Sequence, residues 1–275
     1  MTVTETELPK PNGLEGVVAA STALSHVFGE EGKLVYRGYD IHELAGKASF
    51  EEVAHLLWIG HLPNRAELTE LERKFGENRA LPENVIEGLR ALPSDADPMD
   101  ALRTGVSLLG ASDRQTFEGP PTLDEAIALA ARFPAILATF FRLRQGQEPV
   151  QGRPDLNTAQ NYLYQLFGKE PEERHWKPLE TYLVLLADHG LNASTFTARV
   201  IASTDSDLAS ALTGAVGALK GPAHGGAPAK VLDMLNAIGT IDNVDAWLTA
   251  ALDRGERLMG FGHRVYKAED PRAEI

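Results

Sequence analysis

Three of the eight histidines in the 275-residue chain stand in local settings suited to proton chemistry. They are Asp188-His189-Gly190-Leu191-Asn192, Gly221-Pro-Ala-His224-Gly-Gly-Ala227 and Met259-Gly-Phe-Gly-His263-Arg-Val-Tyr266. Each is expected at or beside a helix end. Flanking glycines there let a ligand approach the backbone and leave main-chain N–H groups free, although the same glycines also serve as plain helix stops. Imidazole is the side chain best matched to proton transfer near neutral pH. The other five, His26, His42, His55, His61 and His175, lie in segments with no partner pattern and read as surface or ordinary core histidines.

Composition removes most competing chemistries. Catalytic zinc accepts three histidines and a water, yet no two of these histidines fall within one helical turn and no His-Glu-x-x-His is present, so no metal is expected. The chain has no cysteine, which excludes a disulfide scaffold, a thiolate metal site and a cysteine nucleophile. Lys220 follows glycines without completing a Gly-x-x-x-x-Gly-Lys-Ser/Thr phosphate loop, and there is no Gly-x-Ser-x-Gly elbow. With 26 basic against 39 acidic residues the net charge is −13, which argues against nucleic-acid or acidic-lipid partners. Small molecules or a second subunit are the expected partners. No apolar run is read as approaching the roughly 20 residues of a membrane span, and the polar, partly acidic start lacks signal-peptide order, so a cytoplasmic location is expected.

The elements that must position these histidines read as helices. Ser49 and Glu52 form a capping box ahead of Val53, Leu56 and Leu57, with Phe50 on the same face. Asn64 and Glu67 open a second helix with the stripe Leu68, Leu71 and Phe75 and a stop at Gly76. Asp97-Pro98 starts a third, carrying Met99, Leu102, Val106 and Leu109. Thr122 and Glu125 open a long apolar helix that Pro134 is expected to kink or divide. Helices are also expected over 157–167, 179–187, 193–202 and 207–219, with only Lys33 to Ile41 extended, so the predicted fold class is all-α. The runs 179–187 and 209–219 lack a polar face, which leaves two coverings open: close packing within the subunit, or a dimer seam. The best loop candidates are 110–121 and 145–154.

Taken together these segments carry a resemblance. Ala187-Asp-His189, Asn192-Ala-Ser-Thr-Phe-Thr-Ala-Arg199, Leu219-Lys-Gly-Pro-Ala-His-Gly-Gly-Ala227, Met259-Gly-Phe-Gly-His-Arg-Val-Tyr-Lys267 and Asp270-Pro-Arg272 resemble the citrate synthase family. Tyr36-Arg-Gly-Tyr-Asp-Ile41 and Asn161-Tyr-Leu-Tyr-Gln-Leu-Phe-Gly168 are similar to the N-terminal half of its shorter bacterial and archaeal branch. The resemblance implies an all-helical homodimer, with a large domain over 1–226 that includes the dimer interface and a small domain begun over 227–275.

The implied reaction condenses acetyl-CoA with oxaloacetate and hydrolyses citryl-CoA, with coenzyme A as substrate and product and no resident cofactor. His224 then hydrogen-bonds the acetyl carbonyl as it enolises, and His263 polarises and protonates the oxaloacetate carbonyl. His189 and Arg272 bind oxaloacetate, Ser194 orients His224, and the turn Leu258, Met259, Gly260, Phe261 and Gly262 recognises the CoA adenine. Arg264, Lys267 and Arg272 give a local positive field beside His263, and an arginine fork suits a carboxylate. The family's aspartate base lies C-terminal to Asp-Pro-Arg, so the chain is expected to be a fragment of a longer enzyme. Two alternatives stay open at this level: a 2-methylcitrate synthase taking propionyl-CoA, since one methylene tunes a pocket weakly, and a truncated inactive dimerising or binding subunit.

Overall fold

The computed structural model describes residues 18–112, 121–222, 224–256, 258, 260 and 265–275. It opens on a small antiparallel sheet, β1 (Ser25–Phe28), β2 (Lys33–Tyr36) and β3 (Tyr39–Asp40), in the order β1-β2-β3. Ser25 pairs with Tyr36 and Phe28 with Lys33 across the first hairpin, and Val35 with Asp40 across the second. The extended stretch expected at Lys33 to Ile41 is therefore two strands, and β1 is an addition. Ile41 belongs instead to a helical turn, α1 (Ile41–Leu44), because Asp40 and Glu43 form a reciprocal capping box.

Helices make up the rest of the regular structure among the described residues. They are α2 (Phe50–Ile59), α3 (Arg65–Glu77), α4 (Glu83–Arg90), α5 (Pro98–Ser112), α6 (Leu123–Leu143) and α7 (Thr158–Phe167), then α8 (Glu173–Leu185), α9 (Ala193–Ala202), α10 (Leu208–Leu219), α11 (Gly226–Ile238) and α12 (Val244–Asp253). The start signals at Ser49, Asn64, Thr122 and Asn157 each close a capping box with the residue three positions on. At Asp97 the carboxylate accepts the Met99 N–H at 2.7 Å.

Four expectations change. Gly76 does not end α3, which runs to Glu77; a Cβ on Gly76 would sit 2.8 Å from the Pro154 carbonyl oxygen, so the small residue serves a close approach. Pro134 does not divide α6, which is continuous over 21 residues. Core contacts on both sides of it, from Ile127 and Leu129 to Ile136 and Phe140, outweigh the roughly 3 kcal/mol that an interior proline costs. The run expected at 179–187 starts earlier, at Glu173, tolerates Pro178 inside it and stops at Leu185. Finally, α6 does meet the length and apolarity of a membrane span, although half of its apolar window is buried inside the protein.

Three clusters form the core. The largest joins α4, α5, α6 and α10 through Val85, Leu89, Val106, Leu109, Leu129, Ile136 and Val216. A second packs the sheet and α1 against α2 and α8, around Leu34, Tyr36, Ile41, Leu56 and Val184. The third sets Leu71 and Phe75 of α3 on Ile127 and Ala131 of α6. For the small-residue helix α10, the close packing seen is within the subunit: an added Cβ at Gly214 would meet Ile201 and Thr197 of α9, and one at Gly110 of α5 would lie 2.7 Å from the Ala209 Cβ. By contrast α11 and α12 leave Leu232, Leu235 and Leu252 more than half exposed.

Candidate functional site

The connection from α8 to α9 carries His189, and β2 holds it in place. The buried Tyr36 hydroxyl donates to the Leu185 carbonyl at 3.1 Å and accepts the Asp188 N–H at 3.2 Å. Burial above all, with the Asp188 carboxylate adding to it, pushes the Tyr36 hydroxyl up to about 12, so it keeps its proton at any working pH. Gly190 then donates its N–H to Ser25 Oγ at 3.1 Å and to Asp188 Oδ1 at 3.0 Å, which ties the same turn to β1.

Asn192 caps α9 by accepting the Thr195 N–H at 3.0 Å, and the first turn of α9 presents Ser194. Ser194 Oγ lies 2.9 Å from His224 Nε2 and 2.8 Å from Asn192 Oδ1. One hydroxyl proton thus has two acceptors. Directed to His224, it leaves the imidazole proton on Nδ1; directed to Asn192, it makes Nε2 the donor.

His224 itself sits in the turn between α10 and α11, its N–H donating to the Gly221 carbonyl at 2.9 Å. Gly225 is small because a Cβ there would come within 2.7 Å of the Leu219 carbonyl oxygen. Lys220, rather than serving a phosphate loop, anchors the end of α10 to α5 through Asp100 Oδ2 at 2.5 Å, while Arg103 takes Asp100 Oδ1 at 2.9 Å.

Arg272 arrives on the segment 265–275, which lies against the β1–β2 hairpin. Lys267 donates its N–H to the Gly29 carbonyl at 2.8 Å. Gly32 has φ +62°, and a Cβ there would stand 2.6 Å from the Glu269 carbonyl oxygen, so the hairpin admits the segment only as glycine. Arg272 donates Nε and Nη2 to the two oxygens of Asp270 at 2.9 and 2.7 Å. Burial opposes the Arg272 charge, but the hydrogen bonds and charge of Asp270 prevail and raise its pKa. The fork assigned to a substrate carboxylate is therefore engaged by Asp270 along one edge.

Tyr266 links this pair to His189, its hydroxyl lying 3.2 Å from His189 Nε2. The structure thus brings Ser194 to His224, and His189 to Arg272 by way of Tyr266. His263, Met259, Phe261, Gly262 and Arg264 lie outside the described residues; Leu258 is half-buried and Gly260 exposed. Sequence reasoning assigned no role to Tyr36, Tyr266, Asn192 or Asp270. Asn192 had a local signal, the cap three residues before Thr195, whereas nothing local connects Tyr36 to Asp188. Among the described residues, no group of three or more histidine, aspartate or glutamate side chains could hold a metal ion. A cavity of about 360 Å³ between α3 and α6 and one of about 190 Å³ between α4 and α6 contain none of the site residues.

Comparison with known proteins accounts for this arrangement. The family model described as citrate synthase, C-terminal domain, matches residues 13–275. Citrate synthase 2 of Bacillus subtilis is 46% identical over 265 residues, covering 95% of this chain and 71% of that protein. A 2-methylcitrate synthase of Mycobacterium tuberculosis is 44% identical over 260 residues, covering 94% of this chain and 66% of that protein. The crystal structure of citrate synthase from Pyrobaculum aerophilum superposes with a TM-score of 0.87 at 40% identity, covering 97% of this chain and 70% of that one. Helical architecture, the ordered histidine segments and a family match over residues 13–275 agree: the chain belongs to the citrate synthase family.

Proposed function

We propose that the chain condenses acetyl-CoA with oxaloacetate and hydrolyses the resulting citryl-CoA to citrate and free CoA, supplying citrate to the tricarboxylic acid cycle. The observation that carries this reading is the 2.9 Å contact between Ser194 Oγ and His224 Nε2 beside the turn that bears His189. Removing a proton from the thioester methyl group, a step that the resemblance assigns to an aspartate C-terminal to Asp270-Pro-Arg272, places negative charge on the carbonyl oxygen. A positioned donor there stabilises that charge by on the order of 3 kcal/mol, and with the Ser194 proton on Nε2, His224 has its N–H at Nδ1 to supply it. His263 then polarises and protonates the ketone of oxaloacetate as the new C–C bond forms. His189 and Arg272 hold the substrate; with Asp270 on Nε and Nη2, a carboxylate meets the Nη1 edge of the guanidinium. The turn from Leu258 to Gly262 takes the CoA adenine.

The same reading makes the protein a cytoplasmic homodimer with no resident cofactor, coenzyme A entering only as substrate. Exposed Tyr182 and Leu186 at the end of α8 and exposed Val200 on α9 leave apolar surface for a second subunit to cover. The 2-methylcitrate synthase relative keeps propionyl-CoA as a second acyl donor. Release of free CoA, followed with a thiol reagent, is the test, using oxaloacetate with acetyl-CoA or propionyl-CoA. Release from acetyl-CoA that fails in His224→Ala is expected; a clear preference for propionyl-CoA favours the second reading. No release with either thioester, together with no binding of oxaloacetate, overturns both.

A further inference from the structure

Tyr266 stands between the two side chains assigned to oxaloacetate. It is 4% exposed. Its hydroxyl lies 3.2 Å from His189 Nε2, and the two rings meet edge to face at 67° with centroids 5.5 Å apart. The guanidinium carbon of Arg272 sits 6.0 Å from the centre of its ring face, within cation–π range. Next in the chain, Lys267 fixes the backbone to Gly29, so the ring is held at its root as well as its tip. Burial, with the Asp270 carboxylate adding to it, pushes the Tyr266 hydroxyl up to about 12. The phenol therefore stays neutral and keeps its O–H as a donor.

We propose that Tyr266 is a positioning residue for the condensation: its O–H donates to His189 Nε2, fixing the plane and tautomer of that ring, while its face seats the Arg272 guanidinium. One side chain thereby sets the spacing of the two groups that hold oxaloacetate. The inference rests on the functional reading above, in which His189 and Arg272 bind that substrate. A neutral imidazole that accepts at Nε2 carries its proton at Nδ1. The ring then offers oxaloacetate one tautomer in one orientation, and the entropy of selecting them is spent before binding.

The test uses the whole chain, with Tyr266→Phe to remove the O–H and keep the ring, and Tyr266→Leu to remove both. Calorimetry is expected to show oxaloacetate binding weakened about three- to tenfold in Tyr266→Phe, the size of one lost hydrogen bond, and further in Tyr266→Leu. In turnover the loss falls on KM for oxaloacetate more than on kcat. Nitrogen-15 spectra of the imidazoles, with His189 assigned by its loss in His189→Gln, are expected to show an unprotonated Nε2 in the parent and an averaged pair of tautomers in Tyr266→Phe. A merely structural tyrosine leaves those ring nitrogens unmoved. A parent spectrum with the His189 proton on Nε2 overturns the inference even if neither variant folds. A parent that binds no oxaloacetate overturns the functional reading itself, whereas equal binding and unchanged spectra in parent and Tyr266→Phe overturn only the role of Tyr266.

Discussion

At the scale of single residues, each hydrogen bond described at the site is expected to have a measurable effect. On the proposed reading, His224→Ala and His263→Ala remove groups that act on developing charge, and each is expected to lower kcat about 100-fold or more while circular dichroism stays unchanged. Ser194→Ala leaves the imidazole in place but frees its tautomer, and its smaller loss, about tenfold, separates orientation from chemistry.

Away from the site, Glu180 has an ordinary pKa of 4.5 raised to about 7, chiefly by burial and then by the charge of Glu51. The folded state thus holds this proton more tightly than the unfolded chain does. Stability from this group is complete below about pH 4.5, declines as pH rises and is lost above about 7. Because Glu180 is only half-buried, the effect is on the order of 1 kcal/mol after screening. Asn157 Nδ2 donates to Glu180 Oε1 at 3.0 Å, an acceptor that glutamine retains. Glu180→Gln is therefore expected to stabilise the protein in denaturant unfolding at pH 8 and to make little difference at pH 5; an equal effect at both values rules the account out.

At the scale of elements, glycines reveal contacts that helix periodicity hides. A glycine inside an exposed helix normally gains about 1 kcal/mol when replaced by alanine. At Gly76 the sign reverses, because a Cβ would stand 2.8 Å from the Pro154 carbonyl oxygen and 3.0 Å from its Cα, both backbone atoms. Gly76→Ala is expected to destabilise by on the order of 1 to 2 kcal/mol, read as a lower urea midpoint at constant m-value. Helix starts were legible from Ser49, Asn64, Asp97, Thr122 and Asn157, since a cap is a contact between residues two or three apart. Helix α4 and strand β1 went unread. The first has Pro82 at its cap position without a side-chain cap hydrogen bond, and the second acquires its identity only by pairing with β2.

For the whole molecule, the decisive contact is between the hairpin at 25–36 and the segment 265–275. The hairpin at 25–36 grips both the turn that bears His189 and the segment that bears Tyr266 and Arg272. Gly32→Ala is expected to expel that segment, since it forces both a left-handed alanine and a clash with the Glu269 carbonyl. Hydrogen exchange should then show lost protection over 265–275 with the α5–α6–α10 core unchanged, and oxaloacetate binding should fall about tenfold or more. That last figure takes the loss of one charged contact as a floor. Protection and affinity both equal to the parent's would show that the hairpin does not position the segment.

What the sequence determined by itself was local or patterned: the helical class, the capping residues, the absence of cysteine and the ordered histidine segments that name the family. These depend on residue type and short spacing, and a linear reading can evaluate them. What the tertiary structure decided was pairing across the chain. Ser194 meets His224 from 30 residues away, Tyr266 meets His189 from 77 and Tyr36 meets Asp188 from 152. Such contacts leave no periodic trace, because a hydrogen bond constrains only the two atoms it joins and neither residue's neighbours record it. The same reason explains Gly76, whose small size reads as a helix stop until the neighbouring backbone is in place, and the contact of Gly214 with Ile201, which the spacing along α10 does not announce.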